Sequence, residues 1–208
     1  MATTPNYGWV TPDNTSFVKD GAQSIRTVSN SIDATSAGAN FAGLVLIKTH
    51  TISSTVGSVQ INNAFSSTYD SYKIVVSNLA PSGGMFLFFR IGTSASQSGY
   101  FYSELQGGGS YSNGLSGTSA ASATFFTSTI FADENSQAGG TFDIHGPFLS
   151  RRTSVQCFGT DTRTYGAGLR YSTGVLDNST SYTGLYLQPN GGNLTGGLIQ
   201  VYGYRKAI

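Results

Sequence analysis

From Leu44 to the end of the chain, apolar residues return at every second position in short bursts, and no burst is followed by a helical spacing. Leu44 and Leu46 alternate with Val45 and Ile47, and the same rhythm marks Val56–Ile61, Tyr72–Leu79, Met85–Ile91 and Tyr100–Leu105. It continues through Ala123–Ala132, Gly140–His145, Ser154–Phe158, Tyr165–Thr173, Tyr182–Leu187 and Leu198–Tyr204. These runs are rich in Val, Ile, Phe and Tyr and are bounded by Gly, Ser and Asn, the pattern of half-buried strands separated by turns. Parallel strands need long crossovers, usually helical, and this part of the chain has none. Roughly ten strands at such spacing predict an all-β fold, an antiparallel β-sandwich of jelly-roll type.

One stretch breaks the rule. In Thr11–Asp33, Val18, Ala22, Ile25, Ser29 and Ile32 fall at alternating intervals of four and three, with Val28 widening the stripe, the seam spacing of a coiled coil. This predicts one short amphipathic helix, with Asn14 or Thr15 as N-cap, Asp20 near the positive end, and Gly21 weakening it by about 1 kcal/mol relative to Ala. A helix this short is marginal alone and needs a partner. Self-association through Val18, Ala22, Ile25, Val28 and Ile32 is the expectation, and branched Ile on the seam leans toward three strands. Before it, Met1–Val10 holds Pro5, Gly8 and the only tryptophan and should be extended or irregular. Tyr7 and Trp9, in a leader too short to own a core, read as anchors for a pocket elsewhere. Ala34–Gly43 has the small residues of a linker, so residues 1–40 form an anchoring arm and helix, and 41–208 the β domain. QGGGSYSNGLSGTSAAS, after Leu105, reads as a long surface loop carrying Tyr111.

The chemistry available is narrow. Charged residues are 10% of the chain and the net charge is +1, so no electrostatic footprint for nucleic acid or anionic lipid is expected. No run approaches the length of a membrane span, and Met1–Val10 lacks the basic and apolar regions of a signal peptide; synthesis in a cytoplasm is expected. Cys157 alternates with Val155 and Gly159 as a buried strand thiol. With two histidines, no metal site and no cofactor are expected. Asp143 and His145 can share one strand face, and Asp133 and Glu134 are adjacent carboxylates. Neighbours on a turn usually diverge, whereas glycoside hydrolysis needs carboxylates facing across about 5 to 9.5 Å, so the chain reads as non-enzymatic. Asp133, Asn135, Asp177 and Asn178 read as turn formers before calcium ligands, and Arg151 and Arg152 as solvated charges or an ion pair at a subunit contact. Tyr100, Tyr102, Tyr111, Tyr165 and Tyr171 lie in or beside the loops, where rings can stack on sugars; they are the candidates for glycan contact.

The opening NYGWVTPDNTSFVKDGAQSIRTVSNSID resembles the N-terminal segment of minor tail and tail-fibre proteins of tailed bacteriophages, in which a PNYGWP-type leader precedes a VKDGA…IR…L…ID helix. Val10 stands where that leader usually has proline. A second likeness, SVQINNAFSSTYDSYKIVVSNL with FFRIGTS and a terminal VYGYR, is to a β-domain common in phage virion proteins. Together the resemblances imply a virion structural protein, commonly a homotrimer, whose front joins other virion proteins while its β-domain projects, as a short fibre, adaptor or receptor-binding module. A head decoration or collar protein is the alternative, and a glycan depolymerase using Asp133, Glu134, Asp143 and His145 a third reading.

Overall fold

A computed structural model describes residues 2–12, 17–38, 43–83, 85–94, 98–108, 111–132, 137–162 and 168–206. The chain forms two compact units, one built mainly from Met1–Ala42 and the other from Gly43–Lys206.

In the first unit, β1 (Ala2–Thr3) and β2 (Val10–Thr11) pair antiparallel, so the leader is a closed hairpin rather than an irregular tail. Thr4 accounts for the difference. Its N–H donates to Trp9 O, its carbonyl accepts from Gly8 N–H, and its Oγ1 accepts from Trp9 N–H at 3.0 Å. Gly8, at φ +65°, supplies the left-handed turn residue that closes the loop. A single 3-10 turn, Val18–Asp20, runs straight into α1 (Gly21–Gly38). The expected caps Asn14 and Thr15 lie outside the described residues, and Phe17, which precedes the turn, makes no side-chain cap bond. The helix continues through Ala34–Gly38, where a linker was expected, because alanine-rich small-residue composition favours helix as readily as coil. Three of its hydroxyls bond back along the helix: Ser24, Thr27 and Ser31 donate to the carbonyls of Asp20, Gln23 and Thr27 at 2.9–3.1 Å.

The second unit is all strand: β3 (Leu44–Ile52), β4 (Val59–Ile61), β5 (Ser71–Pro81), β6 (Met85–Ile91), β7 (Tyr100–Gly108), β8 (Tyr111–Ala123), β9 (Phe126–Ala132), β10 (Ala138–His145), β11 (Thr153–Asp161), β12 (Gly168–Leu176), β13 (Leu185–Pro189) and β14 (Leu194–Tyr204). Antiparallel pairing orders eight of them as β3-β14-β5-β10-β11-β12-β7-β8 and four as β9-β6-β13-β4, the two sets meeting at one parallel bridge, Asp161↔Phe131. This is an antiparallel β-sandwich, and the chain changes sheet at most of its connections, as jelly-roll chains do.

Alternation sets which side chains meet between the sheets. In β5, Tyr72, Ile74 and Val76 are buried while Ser71, Lys73 and Val75 are half-buried on the other face. Across the gap the Phe89 and Phe142 rings stack with centroids 4.6 Å apart, joining the four-stranded sheet to the eight-stranded one. Asn78 at φ +52° marks an irregularity that shifts the buried phase of β5 onto Leu79 and Pro81. The stretch expected as a long loop after Leu105 is instead the β7–β8 hairpin, paired from Tyr100↔Ala123 to Gly108↔Tyr111. Its Ser, Ala and Gly side chains carry no apolar alternation, yet their backbone pairs along the sheet edge.

Candidate functional site

Of the residues expected to anchor the leader, Tyr7 is 66% exposed and its ring stacks on Trp9 at 5.2 Å. Trp9 is half-buried and its indole Nε1 donates to Thr35 Oγ1 of α1 at 3.0 Å. The pair is therefore held by the first unit, with Trp9 as the tether and Tyr7 as the free face. On α1 and its 3-10 turn, Val18 (98% exposed), Ala22, Ile25, Ser29 and Ile32 are all exposed, while Gly21, Ser24, Val28 and Ser31 are half-buried. The seam positions are thus the uncovered ones, with Val28 as the exception. Beside them lies a cleft of about 530 Å³, lined by Val10, Thr11, Phe17, Asp20, Gln23 and Thr27.

The five tyrosines do not form one site. Tyr100 is fully buried: its hydroxyl accepts from Ile91 N–H at 2.8 Å, and burial pushes its phenol far above the ordinary value. It is a core residue because its position falls on the inner face of β7, in phase with Glu104 and Gln106. Tyr102 packs edge-on against Phe126 and is half-buried, which raises its pKa. Tyr165 lies outside the described residues, as does the side chain of Tyr111. Tyr171 is exposed on the outer face of the eight-stranded sheet, where the register places Phe158, Tyr171 and Leu105 in one row across β11, β12 and β7. Next to that row, a shallow depression of about 290 Å³ is lined by Phe101, Tyr102, Ser103, Ser119, Thr173 and Val175. Sequence reasoning missed Phe101, Leu105 and Phe158; the signal was their placement at the polar phase of their strands.

The polar clusters have structural explanations. Lys73 Nζ donates to both oxygens of Asp143 at 3.0 and 2.9 Å, and Tyr204 OH donates to Oδ1 at 2.5 Å. Burial alone would lower the Lys73 pKa, but its bond to Asp143 outweighs that and holds it above the ordinary value. Burial and then Asp143 raise Tyr204. Asp143 is occupied by these partners, and His145, on the same face, meets Ser71 Oγ at 2.9 Å instead. Asp177 pairs with Arg152 Nε of its own chain at 2.5 Å, and Asn178 closes a turn by accepting from Thr180 N–H. Asp133, Glu134 and Asn135 lie outside the described residues. Cys157 is buried. Among the described residues, no three His, Cys, Asp or Glu converge as a metal would need, and no helix is long and apolar enough to cross a membrane.

Sequence reasoning also passed over Arg90 and Arg170, two buried cations at alternating positions in otherwise apolar or small-residue strands. Arg170 lies 2.6 Å from Glu104. Arg90 sits among the rings of Phe88, Phe125 and Tyr186.

Compared with known protein families, curated proteins and solved structures, the chain matches none.

Proposed function

We propose that this chain is a non-enzymatic structural protein of a tailed-phage virion, a short tail fibre or tail-attached adaptor that self-associates as a trimer. Residues 1–40 grip the particle and neighbouring copies, and the β-sandwich projects toward a host-surface glycan. The observation that carries the reading is the helix: its seam at positions 18, 22, 25, 29 and 32 is exposed, although three of the five residues are large branched hydrophobes. A stripe at this spacing with nothing on it is what a helix shows when its partners are other copies. Exposed Tyr7 stacked on tethered Trp9 supports the second element, an aromatic dock held ready without its pocket. The resemblance of the leader to phage tail proteins supports the setting.

Two measurements test this. Light scattering on the full chain should give three protomers, and deleting residues 1–42 should leave a folded monomer absent from assembled particles. A monomeric full-length chain would overturn the self-association. Incorporation of the truncated chain at normal levels would overturn the anchoring role, and labelling on the head rather than the tail would move the protein to a decoration role.

A further inference from the structure

Arg90 is the one charged side chain whose burial the fold leaves electrostatically uncompensated among the described residues. It is 6% exposed, and β6 carries it on the outer face of the four-stranded sheet, out of phase with the core residues Leu87, Phe89 and Ile91. Its Nε donates to Thr124 O at 2.8 Å and its Nη1 to Gln188 Oε1 at 3.2 Å, both neutral acceptors. The rings of Tyr186, Phe88 and Phe125 surround the guanidinium carbon at 5.6, 5.9 and 6.0 Å. No carboxylate among the described residues pairs with it, whereas the other buried arginine, Arg170, has Glu104. Burying an unpaired cation is costly, and burial lowers its pKa. The aromatic faces offset only part of that cost.

The donor arithmetic locates the free end. A guanidinium offers five N–H groups, and these two bonds leave one hydrogen of Nη1 and both of Nη2 without an acceptor among the described residues. No buried side-chain nitrogen among the described residues lacks a partner, so the unbonded Nη2 is not fully buried. The surface around it is ordered by register. Tyr186 stands opposite Arg90 on one side and Gln60 on the other, and Gln188 stands opposite Phe88. Gln60 is exposed and bonded to Asn62 at 3.1 Å.

We propose that this face is a recognition site for an acidic saccharide, with Arg90 binding the carboxylate, Tyr186 stacking on the sugar ring, and Gln188, Gln60 and Asn62 meeting its hydroxyls. A single guanidinium nitrogen at the bottom of an aromatic rim selects one oxygen of a small anion, and the neighbouring amides give and accept hydrogen bonds as hydroxyl-rich ligands require. The site lies on the opposite sheet from Tyr171 and the Phe101 depression, and it stands without the virion reading, since a chain of any other origin would carry the same uncompensated cation.

The test uses the full chain and calorimetric titration with oligosaccharides of glucuronic acid, galacturonic acid and N-acetylneuraminic acid. At least one should bind, its methyl ester should bind at least tenfold more weakly, and sodium sulfate at equal concentration should not compete. The ester comparison is made on the unaltered protein and so needs no variant to fold. Arg90→Met should abolish binding, and Tyr186→Leu should weaken it while leaving the circular dichroism spectrum unchanged. Failure of all three acids to bind overturns the proposal, as does equal binding of acid and ester. Competition by sulfate, or equal affinity for a poly-aspartate peptide, overturns it too, since the site would then be a general anion contact without sugar recognition.

Discussion

Arg170 Nη1 lies 2.6 Å from Glu104 Oε1, with only 3% and 6% of the two side chains exposed. The residues are not register partners: Arg170 stands opposite Gln106 and Glu104 opposite Ser172, so the bond runs diagonally between β12 and β7. Removing one member of such a pair leaves a buried charge, at a cost of about 3–5 kcal/mol, whereas replacing both by apolar residues of similar volume is often neutral or stabilising. Glu104→Gln is therefore expected to lower the urea midpoint sharply, and Glu104→Leu combined with Arg170→Met to recover most of the loss. Equal destabilisation by single and double variants would show that Arg170 is held by its other surroundings rather than by Glu104.

Two glycines should respond in opposite directions to the same methyl group. A Cβ on Gly174 would stand 2.2 Å from Phe101 O and 2.8 Å from both Tyr102 Cβ and the Phe126 ring. The first contact is backbone and cannot move aside, so Gly174→Ala is expected to cost about 3 kcal/mol or more, at the top of the range for overpacking. Gly21, at φ −59°, begins α1, and a Cβ there meets nothing within 4 Å. Gly21→Ala should raise helix stability by about 0.5–1 kcal/mol, read from helical ellipticity against temperature.

The sandwich was legible in the sequence because period-two runs such as Tyr72–Leu79 and Met85–Ile91 bury one face, and burial of one face is what the alternation encodes. β8 was not legible for the complementary reason: Ser, Gly and Ala on both faces leave no pattern, and only backbone pairing with β7 defines the strand. The helix seam was visible as spacing. Its exposure was not, since spacing says which residues share a face and not what covers them. Tyr100 and Tyr171 look alike as strand tyrosines and differ only in phase, one inward and one outward. Arg90 was hidden inside MFLFFRI, where a single arginine reads as the end of an apolar run until the ring contacts from Phe125 and Tyr186 are known.

Four groups give the fold the same alkaline limit. Burial raises Tyr100 and Tyr102, burial and Asp143 raise Tyr204, and for Lys73 the bond to Asp143 overcomes the lowering effect of burial. Below about pH 10 the three phenols are neutral and the lysine is charged in folded and unfolded chains alike, so stability is level there. Above it the unfolded chain gives up these protons while the folded chain keeps them, and stability falls as pH rises. Urea midpoints measured from about pH 8 to 11.5 should be flat and then decline. Asp143→Asn should soften the decline by removing the carboxylate's effect on Lys73 and Tyr204, leaving the effect of burial on Tyr100, Tyr102 and Tyr204. A midpoint that holds constant across the range would refute the assignment.

Ile25 and Ile32 are 66% and 41% exposed on α1, two positions of the expected seam one heptad apart, and neither belongs to the buried core. That separation makes the self-association testable without disturbing the sandwich. Replacing both by Asp places charge where copies would meet, and each protomer added brings more of it to the same seam. Self-association should therefore be lost, with sedimentation falling to the monomer value, while the near-ultraviolet circular dichroism of the buried aromatics stays as it was. A change on the half-buried side, Val28→Asp, should instead damage the packing of the first unit, since Val28 is partly covered. If the Ile25→Asp, Ile32→Asp chain keeps the oligomeric state of the parent, the seam is not where copies meet, and the apolar row of Phe158, Tyr171 and Leu105 becomes the surface to alter next.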